Sequence, residues 1–193
     1  MFKIKNIGLF VGLLYWLNLA RAQQMLSFPL PEEGISIQNY VHWQGVERSS
    51  VFDPIGFKGL FSVPNSATLS TPIQQVWLRM VIRNTVAKDT FINAFFEQSI
   101  WDIRAFRSKQ GALKEIAKAG FRTEPNQLAY RGNEQLLQIT LRAAQTDTVY
   151  IFLRVPEGAS IKRPFPKVYS GNFIPGNAYK QQFLTKEPGR WFA

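Results

Sequence analysis

Val76-Trp77-Leu78-Arg79-Met80-Val81-Ile82-Arg83-Asn84 is the stretch whose reading decides the fold class. Its apolar residues recur with period two, the signature of a strand with one buried face. Val76, Leu78, Met80 and Ile82 point one way and are expected in the core, while Trp77, Arg79, Val81 and Arg83 point the other. The second face presents an aromatic ring and guanidinium groups, so it is the first place to look for binding chemistry.

Downstream, Thr85-Val86-Ala87-Lys88-Asp89 reads as a hairpin connection, because strand-type residues resume with Phe91, Ile92, Phe95 and Phe96. A short link at Glu97-Gln98-Ser99 leads to a third strand at 100–106. There neither parity is cleanly apolar, so both faces are expected to be partly covered. Residues 109–121 fit either a helical turn bracketed by Gly111 and Gly120 or a hairpin with a long loop. Leu137, Ile139 and Leu141, then Val149, Ile151, Leu153 and Val155, alternate on either side of a polar turn and read as an antiparallel pair. Pro156 ends it, since proline cannot donate to a central ladder. A further strand-capable piece lies at 167–169 and another at 181–184.

Upstream, Ile35 to Trp43 alternates loosely and suggests an early or edge strand, and 51–63 is aromatic and Gly-rich without regular spacing. Residues 25–33 carry Pro29 and Pro31 and read as extended coil. Many short strands with turn signals between them and little helical periodicity argue for an all-β, antiparallel β-sandwich.

The N-terminus has a different character. Lys3 and Lys5 form a basic start, 7–20 is apolar, and Ala20-Arg21-Ala22 suits signal peptidase, with Gln23 as the new first residue. The expected organisation is a secretory signal at 1–22, an extended lead-in at 23–39, a β-sandwich sensor or binding domain at 40–170, and a tail at 171–193 that completes the sandwich or hangs free. The expected location is periplasmic or extracellular, with no transmembrane helix in the mature chain.

The 193 residues, 46% hydrophobic, suit one domain with a sizeable core. The net charge of +10 falls to +7 when removal of Lys3, Lys5 and Arg21 leaves 20 basic against 13 acidic residues. Charges are scattered and no nucleic-acid-binding motif occurs, so no nucleic-acid partner is expected. The chain has no Cys and a single His, His42, which removes thiolate chemistry and makes a His-dependent triad or zinc site a poor fit. Glu97 and Asp102 are the best acid pair for glycoside cleavage, yet loop carboxylates or partners for neighbouring arginines is the preferred reading. The expectation is a non-enzymatic chain with no cofactor and no metal. The outward parity offers Trp77, Arg79, Arg83, Trp101, Arg107, Tyr150 and Arg154, whose rings stack on sugars and whose guanidinium groups fork onto carboxylates or hydroxyl pairs.

The block 76–84, the strand at Ile100-Trp101-Asp102-Ile103-Arg104-Ala105-Phe106, Arg131 after Tyr130, and Val149-Tyr150-Ile151-Phe152-Leu153-Arg154-Val155 together carry a resemblance. They resemble the extracellular sensor domain that precedes the seven-helix membrane region in bacterial receptors with diverse intracellular signalling modules. The resemblance spans about residues 40–170 and implies a jelly-roll related to carbohydrate-binding modules, with a role in ligand sensing and signal transduction. Position by position it touches Trp77, Arg79, Asn84, Arg131, Tyr150 and Arg154 as ligand-binding candidates, with Asn84 also suited to ending its strand as an Asx-type turn residue. It departs at Asn65-Ser66-Ala67-Thr68, where a glycine-containing turn is usual, and at Trp191-Phe192-Ala193, where the family continues into membrane and output regions. The expected partners are a small-molecule ligand, carbohydrate foremost, and a membrane receptor or envelope protein.

Overall fold

The computed structural model describes residues 24–46, 68–69, 73–109, 111–130 and 133–171. The expected signal segment, the aromatic stretch at 51–63, Arg131, the piece at 181–184 and most of the C-terminal tail lie outside the described residues. In chain order the strands are β1 (Leu26–Phe28), β2 (Ile35–Ser36), β3 (Val41–Val46), β4 (Gln75–Asn84), β5 (Thr90–Phe95), β6 (Asp102–Lys109), β7 (Ala112–Ala119), β8 (Leu136–Leu141), β9 (Thr146–Arg154) and β10 (Lys167–Ser170). They form two sheets. The first runs β1-β4-β9-β6-β7, with β3 also paired to β4, and the second runs β2-β10-β5-β8. The fold is all-β and largely antiparallel; the exception is β1, which lies parallel to β4.

The opening strand keeps its expected core face. Val76, Leu78 and Met80 are fully buried and Ile82 nearly so, and each such side chain contributes about 1.5–3 kcal/mol by leaving water. One continuous core takes Leu78, Met80, Ile103, Ile151 and Leu153 from the first sheet and Ile92, Ala94, Leu137, Ile139 and Val168 from the second.

Connectivity departs from the sequence reading in two places. Residues 85–89 are not a hairpin turn, because β4 and β5 belong to different sheets. Likewise β8 and β9 do not pair: β8 joins β5, and β9 sits between β4 and β6. Both connections are arches that carry the chain across the core, and they are stitched to each other. Asn84 N donates to Gln145 O (2.8 Å) and Ala144 N to Val86 O (2.9 Å), while Asp89 Oδ1 accepts Ala143 N (2.8 Å). A hairpin and an arch share the same short polar sequence and the same alternation in their flanks, so the distinction rests on these contacts between distant segments.

At β7 the sequence leaves a helical turn and a hairpin with a long loop open, and the structure has a hairpin, with a short turn in place of the long loop. The β7 sequence, Ala-Leu-Lys-Glu-Ile-Ala-Lys-Ala, consists mostly of good helix formers, yet it pairs with β6 as a tight hairpin. Gly111, at φ +78°, supplies the left-handed turn residue. A register shift between Ala105 and Phe106 leaves Ile116 as the extra residue of a bulge. The hairpin closes at Gly120 (φ +95°), where any Cβ would lie 2.6 Å from Trp101 O, so the position admits only glycine. Tertiary pairing here overrides local preference.

The lead-in also takes part in the sheets: β1 covers an edge of β4, and β2 pairs with β10. The early strand expected at 35–43 is split between β2 and β3, separated by a 3-10 turn at Gln38–Tyr40. The third strand starts later and runs further than expected, at Asp102–Lys109. β9 ends at Arg154, just ahead of Pro156.

Candidate functional site

Strand register arranges the outward face of the first sheet in rows, since side chains on paired positions share a face. One row reads Gln44, Trp77, Phe152, Arg104, Lys118, and the next His42, Arg79, Tyr150, Phe106, Glu115. Gln75, Arg154 and Asp102 form the row at the end. Trp77 and Tyr150 gather Phe106, Phe152, Val46 and Leu113 into a small apolar cluster of their own, separate from the main core. The Trp77 ring centroid lies 5.1 Å from that of Phe152 and 5.5 Å from that of Phe106, both tilted, which is a favourable aromatic geometry.

Of the expected residues, Trp77, Arg79, Tyr150 and Arg154 therefore share one face. Trp77 and Tyr150 are buried there at 8% and 9% exposure, whereas Arg79 and Arg154 are half-buried. Beside Arg79, His42 has its pKa lowered, first by burial and second by the Arg79 charge, so the ring favours its neutral form.

The others go elsewhere. Asn84 is buried at the arches: its Nδ2 donates to Lys88 O and Arg142 O, both at 3.0 Å, and its Oδ1 accepts Val86 N at 3.0 Å. That makes it an Asx-type brace. Trp101 stands exposed just before β6, with the Arg122 guanidinium 5.3 Å from its ring centroid. Arg83 is exposed at the far end of β4 opposite Thr146. Arg107 lies on the inward parity, where it reaches the other sheet by donating to Thr140 O at 2.7 Å.

Asp102 is a partner for arginines, as preferred from the sequence; what sequence reasoning missed is that Arg104 and Arg154 converge on it together. This carboxylate, whose side chain is 6% exposed, accepts Arg104 Nε at 2.9 Å and Arg104 Nη2 at 3.2 Å on its two oxygens. Arg154 Nη2 donates to the same carboxylate at 2.8 Å. The hydrogen bond to Asp102 holds the Arg104 pKa above its ordinary value. The shared parity of Asp102, Arg104 and Phe106 was visible in the sequence, but their position beside Arg154 depends on β6 pairing with β9. Glu97 is exposed and meets Arg163 at 3.5 Å, so the two acids considered for glycoside cleavage each face arginines. Among the described residues no group of His, Asp and Glu is placed to hold a metal, and no helix is long and apolar enough to cross a membrane.

No family model matches the chain, and no curated protein matches it.

Proposed function

We propose that this protein is a non-enzymatic ligand-sensing or ligand-binding domain of jelly-roll sandwich type, secreted across the inner membrane. Its ligand is a carbohydrate or a carboxylate-bearing small molecule, taken by the outward face of the first sheet. The observation that carries the reading is the gathering of Trp77, Phe152, Tyr150 and Phe106 on one face with Arg79, Arg104 and Arg154. The half-buried rings of Phe106 and Phe152, backed by the buried Trp77 and Tyr150, supply apolar contact and guanidinium groups supply orienting donors, the mixture that small polar ligands require. The resemblance to receptor sensor domains supports the same role, with Asn84 bracing the fold rather than touching ligand.

The test is a thermal-shift screen of the purified protein against saccharides and organic acids. A ligand at 100 times its Kd stabilises by about 2.7 kcal/mol, which for a chain of this size is a rise of roughly 5–10 °C in Tm. Arg79→Ala is expected to abolish that rise while leaving the protein folded. A folded sample that no saccharide or organic acid stabilises rejects the reading. Processing at Ala22, read by N-terminal sequencing of an envelope fraction, tests secretion.

A second reading, a non-catalytic protein-interaction module of the cell envelope, is favoured by a different observation. Trp101 and Phe121 are exposed large rings at one end of the first sheet, and exposed aromatics are enriched where proteins dock. Retention of an envelope protein that is lost in Trp101→Ala, with no small-ligand response, selects it.

A further inference from the structure

We propose that Arg104 and Arg154, oriented by Asp102, form an anion subsite that takes the carboxylate of an acidic saccharide, so that the ligand carries a uronic-acid unit rather than being a neutral sugar. The inference rests on the preceding reading that this face binds ligand, and it concerns what that ligand must carry.

The cluster is layered. Asp102 is almost fully buried, whereas the side chains of Arg104 and Arg154 are 45% and 29% exposed. One negative charge therefore lies beneath two positive ones, and Lys118 stands directly across from Arg104 on β7. Among the described residues the other acid in reach is Glu115, 3.8 Å from Arg104 Nη1 and beyond hydrogen-bond distance. Three cations against two carboxylates leave a positive surface.

Donor capacity points the same way. Each guanidinium has five N–H groups. Asp102 takes one edge of Arg104, through Nε and Nη2, but a single Nη2 contact from Arg154. A planar fork with unused donors suits a carboxylate, which accepts two parallel bonds. Phe152 pairs with Arg104 across the strands and precedes Arg154 by two residues on the same face. It is half-buried, which leaves part of an aromatic ring beside the cations. A sugar ring against Phe152 would hold its carboxylate over the arginines.

A purely structural salt bridge is the competing explanation, and the charge balance separates the two. Asp102→Asn raises the net charge by one, so general attraction to a polyanion strengthens. If Asp102 positions the arginines, the same change weakens binding.

The experiment is titration calorimetry of the purified protein with polygalacturonate and with its fully methyl-esterified form. The acid form is expected to bind at least about tenfold more tightly, since a charge-assisted bond contributes more than 1.4 kcal/mol. Arg104→Lys, which keeps the charge and loses the fork, is expected to lose about tenfold, and Asp102→Asn several-fold. Arg83→Gln, which removes a charge far from the cluster, is expected to change nothing beyond twofold. Circular dichroism establishes that each variant is folded, and if Asp102→Asn is not, the contrast of Arg104→Lys with Arg83→Gln carries the decision. Equal binding of the acid and ester forms, tighter binding by Asp102→Asn, or equal effects of the Arg104 and Arg83 changes overturns the subsite and leaves saccharide binding standing. Binding of neither form, while a neutral saccharide raises Tm, also overturns only the subsite. Failure of every saccharide and organic acid in both assays overturns this inference and the proposed function together.

Discussion

Two aspartates in this fold have nearly the same chemistry and different surroundings. Asp102 holds Arg104 and Arg154 on the outward face of the first sheet. Asp147 holds Arg107 at 3.1 Å and Arg142 at 3.0 Å on the inward parity, at the end where the arches cross. Both carboxylates are almost fully buried, so each needs its partners. The difference lies in where the arginines lead. Arg107 is mostly enclosed and goes on to Thr140 O in the opposite sheet, which makes the Asp147 cluster a clasp between layers. Burial lowers the Arg107 pKa despite the opposing pull of Asp147. Arg104 opens to solvent instead, and its cluster ties together strands that are already neighbours. Equal pairing chemistry thus yields a strut in one place and an outward-facing cation pair in the other.

Removing each carboxylate tests that contrast. Asp147→Ala leaves enclosed charge uncompensated between the sheets, and the expected loss is about 3 kcal/mol, read as a fall in the urea midpoint. Asp102→Ala frees two arginines that can reach water, so the expected loss is about 1 kcal/mol. Equal losses would erase the distinction between clasp and surface cluster.

The smallest effect concerns His42, which borders the outward face beside Arg79. Its folded pKa lies below the ordinary 6.5, so as pH falls through 6.5 the unfolded chain takes up the proton first. The corresponding stability is present above 6.5 and declines as pH drops from there toward the folded pKa. Urea denaturation between pH 7 and pH 5 is expected to show this slope in the native protein and a shallower one in His42→Gln. Identical slopes would mean that folding does not lower the His42 pKa, by burial or by the Arg79 charge.

The sequence alone shows why some of this was readable. Alternation depends only on neighbouring residues, so the buried parity of β4 and the ending of β9 ahead of Pro156 could be read directly. It likewise placed Trp77 with Arg79, and Tyr150 with Arg154. Which strand lies beside which is a different question. Residues 85–89 and 143–147 look like hairpin turns, and only Asn84, Asp89 and the backbone bonds between the arches turn them into crossings. Residues 112–119 were ambiguous because their helix propensity competes with an open edge on β6 that the local sequence does not reveal.

The same division governs the candidate site. From the sequence by itself came the all-β class, the core face of 76–82 and the aromatic and basic character of the other parity, because each is set by side-chain chemistry at period two. Only the tertiary structure decided that β9 lies between β4 and β6, and hence that Arg154 meets Asp102 and Arg104, 52 and 50 residues earlier in the chain. Register across strands is a long-range property, fixed by which faces share a core and which polar groups close the arches.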